Sequence, residues 1–598
     1  MTPPSRFAET AWLPMTLSAA AVGFPAAGPA ILAFALFLFL ALPALAPGPL
    51  RRPVLLPAAT AVFLFACGMT VFYQPGGPLD LFEDGQILAA ADVYGNGGRP
   101  YVDTYPIHGW GADGGLDAFL FRIFGPTVET FRARRGVMTA AALVALAAAA
   151  DALFEPMAWK AVAFLAALCV CPFVSERQLL AFACLAFLIR AARSRRARDL
   201  AVSGALGACE LFYSLDLGLI VLTGGLAGAA TGPFLSSGFR RIGPGARSAL
   251  AFAGGACAAS LPFLLILSRS GALPGFLRTS FLEIPRTIGD IWGLPAGSAR
   301  ALLRADPGTI LRGAAFDPSQ SGSFLLLLLG AAAAVCLLRS AHGAFEEVDR
   351  AAWASIAVAA AATRGLLGRA DAGHFALYGV FAGLPAAWLL YRASHAATGR
   401  VALTGALLLV LLVKLHPLTT ISRERGAVAA GEESRVAWQR EGVRVPRSGS
   451  ATLPRGQASD ILALRKFFDS RLAPGETFFD FGNEPGLYFL LERSLPVRFI
   501  CVPCYESPAH QIEVVTALKR ERPPFAILAS GSARDAFDGV TNRERTPLVA
   551  AYLDANYEPY GEICGHRIGR RKNSPRLLRP ESHQPPEEAA AFAVVLDE

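Results

Sequence analysis

Charge is what this sequence has too little of. Only 17% of its 598 residues are Asp, Glu, Lys or Arg, where a water-soluble chain carries about a quarter. The shortage ends near residue 416, beyond which the composition is that of an ordinary globular protein. Acidic residues are also the minority, 47 against 55 basic ones. The excess does not indicate nucleic acid as a partner, because the basic residues sit in short loops between apolar runs, the distribution of a membrane protein. Cysteine offers little chemistry. Seven of the ten (Cys67, Cys169, Cys171, Cys184, Cys209, Cys257 and Cys336) fall in or beside apolar segments, as small buried hydrophobes do. Cys501, Cys504 and Cys564 remain. The first two have CxxC spacing, but zinc would need a second pair and a redox site a thioredoxin context. A disulfide stays open for an oxidising compartment. The N-terminal apolar stretch lacks a convincing small-residue cleavage site, so it reads as membrane helix rather than signal peptide.

Long apolar runs are what the sequence has instead. Spanning helices need about 20 apolar residues, fewer where flanks snorkel. Thirteen stretches qualify: 10–25, 28–47, 54–73, 136–154, 158–174, 179–192, 200–213, 217–235, 248–268, 323–338, 352–367, 374–391 and 401–416. The expected fold is a polytopic α-helical membrane protein of about 11–13 transmembrane helices, with a small C-terminal α/β extracytoplasmic domain. The expected divisions are a multi-span region over 1–416, a soluble domain over 417–570 and a disordered, Pro- and charge-rich tail over 571–598.

Arginine fixes the expected orientation. Arg51-Arg52, the run Arg190 to Arg198, Arg240-Arg241 with Arg247, and Arg392 to Arg400 mark cytoplasmic loops. Alternation then puts 74–135, 175–178, 214–216, 269–322, 368–373 and everything after about 417 on the outer side. Arg132, Arg134 and Arg135 go against this pattern and suit an interfacial helix at lipid headgroups. Within the soluble domain, a linker over 420–457 precedes a helix from Ala458 to Arg471. A strand over Glu476–Phe481 follows, then a helix begun by Asn483-Glu-Pro485. A strand over Val497–Val502, a helix over Gln511–Arg520 and a strand over Pro524–Ala529 complete an α/β pattern.

The residues that could carry chemistry gather on the outer side. Glu83-Asp84, in the run Asp80-Leu-Phe-Glu83-Asp84-Gly85, are adjacent carboxylates just beyond a span. Ionisable groups near a bilayer are costly, and paired acids can leave one suited to act as base. A solvated acidic loop is the plain alternative. Asp103 and His108 lie in a Pro- and Gly-shaped turn and either bind substrate or merely cap and decorate it. Glu176 sits beside Arg177 at a helix mouth, where an ion pair between them is the simpler account. Asp216 is an isolated carboxylate at or near membrane depth. Arg369 and His374, with Asp371 to orient them, suit an anion such as a phosphodiester at a helix start, or anchor the interface. Arg278 and Arg286 in the second long loop are further phosphate ligands by the same logic.

Together these features resemble the GT-C superfamily of polyprenyl-phosphate-sugar glycosyltransferases, which includes protein O-mannosyltransferases and lipid A aminoarabinose transferases. The resemblance rests on Glu83-Asp84-Gly85 after an early span, then Gly98-Arg-Pro-Tyr101-Val-Asp103, and Phe121-Arg-Ile-Phe-Gly125 leading to Arg132. Gly368-Arg-Ala-Asp-Ala-Gly-His374, Asn483-Glu-Pro-Gly-Leu-Tyr488 and Ala551-Tyr552-Leu-Asp-Ala-Asn-Tyr557 complete it. It covers residues 54–570 through short, degenerate motifs whose order carries the likeness. It implies a bacterial inner-membrane enzyme with a periplasmic C-terminal domain. The donor would be a polyprenyl-phosphate-linked sugar, the acceptor a glycan, lipid or protein. The family's first-loop acid maps onto Glu83 or Asp84, and an acid of its second outer loop onto Glu176. Here the usual Asp-Glu order is reversed, and two spans precede residue 54. Some members use a divalent metal, but no ligand set with recognisable spacing stands out.

Two other classes compete. A transporter or flippase for a lipid-linked or anionic solute usually shows repeats and midplane polar residues, and no clear repeat is visible. A non-catalytic assembly protein would find the acidic loop dispensable.

Overall fold

The computed structural model describes most of residues 61–286, 318–368, 372–395 and 442–572, apart from short interruptions. The spans expected at 10–25, 28–47 and 401–416 lie outside the described residues, as does most of 54–73. The chain divides into two compact units, Met1–Ser459 and Asp460–Glu598.

In the first unit the helices are α1 (Glu83–Gly95), α2 (Leu116–Phe124), α3 (Val128–Leu153), α4 (Met157–Val170), α5 (Leu179–Ser194), α6 (Ala197–Tyr213) and α7 (Leu215–Ser236). They continue as α8 (Gly243–Arg269), α9 (Leu273–Arg278), α10 (Pro318–Ala341), α11 (Glu347–Gly368), α12 (Ala372–Gly379), α13 (Gly383–His395) and α14 (Arg455–Arg471), the last of which runs on into the second unit. The nine apolar segments predicted between residues 136 and 391 all contain helix, 158–174 as far as Val170. Among the described residues three helices, α3, α7 and α8, are long and apolar enough to cross a membrane. Shorter apolar helical stretches lie in α4 and α10, at Trp159–Leu168 and Leu325–Ala341.

Local signals start and stop these helices as the sequence suggests. Gly125, at φ 91°, ends α2. Thr127 then caps α3 by accepting from the Thr130 amide at 3.1 Å. A single residue, Ser214, separates α6 from α7, and the two helices pack against each other. At the α6–α8 crossing a Cβ on Gly204 would strike the Phe252 carbonyl, and one on Gly255 the Ala201 carbonyl. Glycine at these positions lets the two helix backbones approach closely. The interior between helices is filled by Phe154, Phe182, Phe381 and Trp388, all buried.

Residues 442–457, expected as part of a linker, belong instead to the first unit as a strap. Thr452 pairs with Gly76, and Val443 with Leu453. The Gln457 amide brackets the Leu79 backbone, accepting at 2.9 Å and donating at 2.7 Å. The second compact unit starts at Asp460.

That second unit contains β1 (Phe478–Asp480), α15 (Gly486–Leu490), α16 (Pro508–Glu521), β2 (Phe525–Ala529), β3 (Ala536–Phe537), β4 (Val540–Thr541), α17 (Asn542–Arg545), α18 (Pro547–Asn556), β5 (Tyr557–Ile563) and β6 (His566–Arg571). Its main sheet runs β1-β2-β6-β5, with β1 parallel to β2 and the remaining pairs antiparallel. Cys564 and Gly565 both take positive φ, 48° and 82°, which lets two residues close the β5–β6 hairpin. Stacked rings of Phe468, Phe478 and Tyr488 fill one face of the sheet. The strand predicted over Val497–Val502 does not form. The Val502 amide is taken by the Asn483 side chain at 2.8 Å, and a 3₁₀ turn follows, so this β-prone stretch has no ladder to join. Cys501, Cys504 and Cys564 form no disulfide.

Candidate functional site

Short connectors bring four separate stretches of the sequence to one end of the bundle. These are the first turns of α1 and α3, the turn 175–178 before α5, and Ser214 between α6 and α7. The loops expected on the outer side at 74–135, 175–178 and 214–216 thus share a face.

Asp84 stands in the first turn of α1. The Asp80 carboxylate holds that turn by accepting from the amides of Phe82 at 2.9 Å and Glu83 at 3.1 Å. The two acids the sequence could not separate are now distinct: Glu83 is exposed, whereas Asp84 is half-buried and ion-paired with Arg135. Burial lifts the Asp84 carboxyl above the ordinary aspartate value even with Arg135 beside it.

Arg135 is shared, since its Nε lies 3.3 Å from Glu176. Ser175 and Gln178 form a reciprocal capping box around the turn that carries Glu176. Arg134, 3.6 Å from Glu176, grips Asp117 through two bonds of 3.0 Å and donates to the Tyr213 hydroxyl at 3.4 Å. Burial opposes ionisation of Glu176, but Arg135 and then Arg134 outweigh it and hold its carboxyl below the ordinary glutamate value. Two carboxylates that share one arginine are thus pushed in opposite directions. The expected Glu176–Arg177 pair is absent; both residues pair elsewhere. The three arginines out of place in the charge pattern lie in the first turns of α3, with Arg132 donating to the Gly77 carbonyl at 2.7 Å.

Arg177 turns to α7, donating to the Ser214 hydroxyl at 3.0 Å and pairing with Asp216. Asp216 also accepts from Ser214 at 2.9 Å and from Tyr378. Tyr378, which the sequence reading missed, is 162 positions away in sequence from Asp216 and carried no local signal. His374 approaches the same group, its ring 6.1 Å from that of Tyr378. Arg369 and Asp371 lie outside the described residues.

His108 reaches this cluster through its backbone, its carbonyl accepting from the Leu215 amide at 2.6 Å. Gly109 permits the approach, since at φ 117° a Cβ would sit 2.8 Å from that amide nitrogen. The His108 ring bonds Asp113 at 2.9 Å. Burial works to discharge the ring, yet Asp113 outweighs it and raises its pKa above the usual histidine value. Asp113 is a second residue that the sequence reading assigned no role.

Other expected ligands stay apart. Asp103 accepts from the Arg99 amide at 2.8 Å and pairs with the Arg99 side chain on the surface, a capping role. Arg278 pairs with Glu283 at 2.7 Å and is 74% exposed. Arg286 is exposed at the edge of the described stretch. Among the described residues no group of three or more His, Cys, Asp or Glu side chains could hold a metal ion. No family model matches the sequence, and no curated protein is significantly similar to it.

Proposed function

We propose that the chain is a multi-pass membrane glycosyltransferase. It moves a sugar from a polyprenyl-phosphate donor to an acceptor hydroxyl at the outer face of a bacterial inner membrane, with Asp84 as the general base. The observation that carries this reading is the sharing of Arg135 between Asp84 and Glu176, whose carboxyl groups are pushed to opposite sides of their ordinary values. Titratable neighbours driven apart in this way commonly divide acid–base work. The raised group suits the base, because basicity nearer the working pH transfers protons better.

In the proposed reaction Asp84 takes the proton of the acceptor hydroxyl. The acceptor oxygen forms a bond to the anomeric carbon as the carbon–phosphate oxygen bond breaks. The electron pair leaves with polyprenyl phosphate, whose charge is met by Arg135 and Arg177 as they exchange carboxylate for phosphate partners. Guanidinium groups suit both, since their forked donors match either anion. Positioning and charge neutralisation supply most of the acceleration. The short basic loops at the opposite end support the outward orientation of the cluster.

The test is release of polyprenyl phosphate from polyprenyl-phosphate mannose and polyprenyl-phosphate aminoarabinose by proteoliposomes holding the full chain. Asp84→Asn is expected to lower release by about 10²–10⁴-fold, while Glu83→Gln keeps it within about twofold. Equal loss in both variants, or full activity in Asp84→Asn, refutes the assignment of the base.

A further inference from the structure

Helix α6 carries Asp199, Ser203, Gly207 and Glu210 at spacings of four and three, and Ser214 follows four residues on. Such spacing aligns them on one face. Asp199, Ser203, Glu210 and Ser214 are all at most 1% exposed. The stripe is held at both ends. Asp199 accepts from Ser194 at 3.2 Å and pairs with Arg190 at 3.3 Å. Ser214 donates to Asp216 and accepts from Arg177. Between them Ser203 donates to the Cys184 carbonyl at 2.8 Å. Glu210 differs from its neighbours: neither oxygen of its carboxyl group has a hydrogen-bond partner, and the side chain is fully buried.

An ionised carboxylate in that position would cost several kcal/mol, and a group so placed neutralises instead. The surroundings offer no relief. The titratable groups around it are Asp216 on α7, Arg177 in the turn before α5, Cys184 on α5, and Cys209 and Tyr213 on its own helix. Arg177, the one cation of this set, is already engaged by Asp216 and Ser214. Asp216 repels a second negative charge. A metal ion would need further ligands, and the described residues assemble no such group here.

We propose that Glu210 is a proton-binding site of the helical bundle, a carboxylic acid that keeps its proton at neutral pH. Its ligand is a proton rather than a metal or a phosphate, and the assignment stands independently of the sugar-transfer reading. Ionisable groups inside bundles of this kind are commonly retained for proton or ion movement. Glu210 lies one helical turn from Ser214, which places it next to the charge cluster at that end.

The experiment uses the full chain in proteoliposomes at pH 7.5. Infrared difference spectra between wild type and Glu210→Gln are expected to show loss of a carboxylic-acid carbonyl band, and Glu210→Asp is expected to shift that band rather than delete it. Dicyclohexylcarbodiimide, which adds only to protonated carboxyls, is expected to form an acylurea on Glu210 and none on Asp216 or Glu176, by peptide mass spectrometry. Loss of a carboxylate band in Glu210→Gln, or identical spectra for the two proteins, overturns the proposal whatever the reagent labels.

Discussion

The two ends of the helical bundle handle buried charge in opposite ways. Where α10 and α13 end and α11 begins, Asp349 accepts from Nε of Arg339, both Nε and Nη2 of Arg392, the Glu346 amide and the Trp388 indole. Five donors saturate one fully buried carboxylate, whose two oxygens offer about four lone-pair sites. At the other end Glu176 has contacts of 3.3 and 3.6 Å to two arginines, each of which also serves another acid. The first arrangement fixes its acid through five bonds, with the exposed Glu346 as a second acid for both arginines, and behaves as a rivet. The second holds its acid through two longer contacts, so its arginines can turn from Glu176 to Asp117 and Asp84 without being left unpaired. Buried ion pairs are weak evidence of stability in general; here the number of donors separates the structural pair from the exchangeable one.

The comparison predicts unequal costs. Removing Asp349 takes the acceptor from the buried Trp388 indole and the Glu346 amide and leaves Arg339 and Arg392 only the exposed Glu346 carboxylate, so Asp349→Ala is expected to destabilise the chain by about 3–5 kcal/mol, measured by denaturant unfolding in detergent. A cost near 1 kcal/mol would erase the distinction between the ends. Asp480 in the second unit sharpens the contrast, because it is buried without a cation in contact. Burial, and then Glu484, push its carboxyl up to about 7 from an ordinary 3.8. Between those values the folded protein holds a proton that the unfolded chain has lost, so stability falls as pH rises across that window, by at most about 4 kcal/mol. His566 acts with the same sign. Burial lowers its pKa, but the bond to Glu484 outweighs this and raises it, so its contribution is whole below about 6.5 and fades as pH rises through the folded value. Hydrogen exchange over Phe525–Ala529 in the full chain, corrected for intrinsic rate, should show less protection at pH 8 than at pH 5. Asp480→Asn should flatten that difference. Glu176→Gln comes next, at about 1–2 kcal/mol, because Arg134 keeps Asp117 and Arg135 keeps Asp84. Arg447→Ala is the smallest, at about 1 kcal/mol or less, since its pairing with Asp92 at 2.6 Å is only part of what fixes the strap.

The elements of the bundle were legible because the length of an apolar run is a local property. The loops that meet at one end followed from counting helices and placing arginines. The partners did not follow. Nothing near Asp216 announces Tyr378, and nothing near Asp84 distinguishes Arg135 from Arg132, because such pairings are set by tertiary packing. Asp113 stands among glycines that carry no signal of a partner. The expected strand over Val497–Val502 failed for the opposite reason, since its local β preference met no neighbouring strand and its last amide went to the Asn483 side chain. The reading of 442–457 as linker failed because a polar composition suits a solvated connector and a hydrogen-bonded strap equally.

That strap has a bearing on how the protein is made. Chains emerge from the ribosome N-terminus first, so α1 and α3 are synthesised long before the backbone that ties them. The Arg447 carbonyl accepts from the Val128 amide at 2.8 Å, and Gln457 brackets Leu79; neither contact can form until translation has passed them. The end of the bundle that holds Asp84 and Arg135 is therefore finished late. A nascent chain arrested before residue 442 would carry the acids and the arginines yet lack the clasp that fixes their spacing.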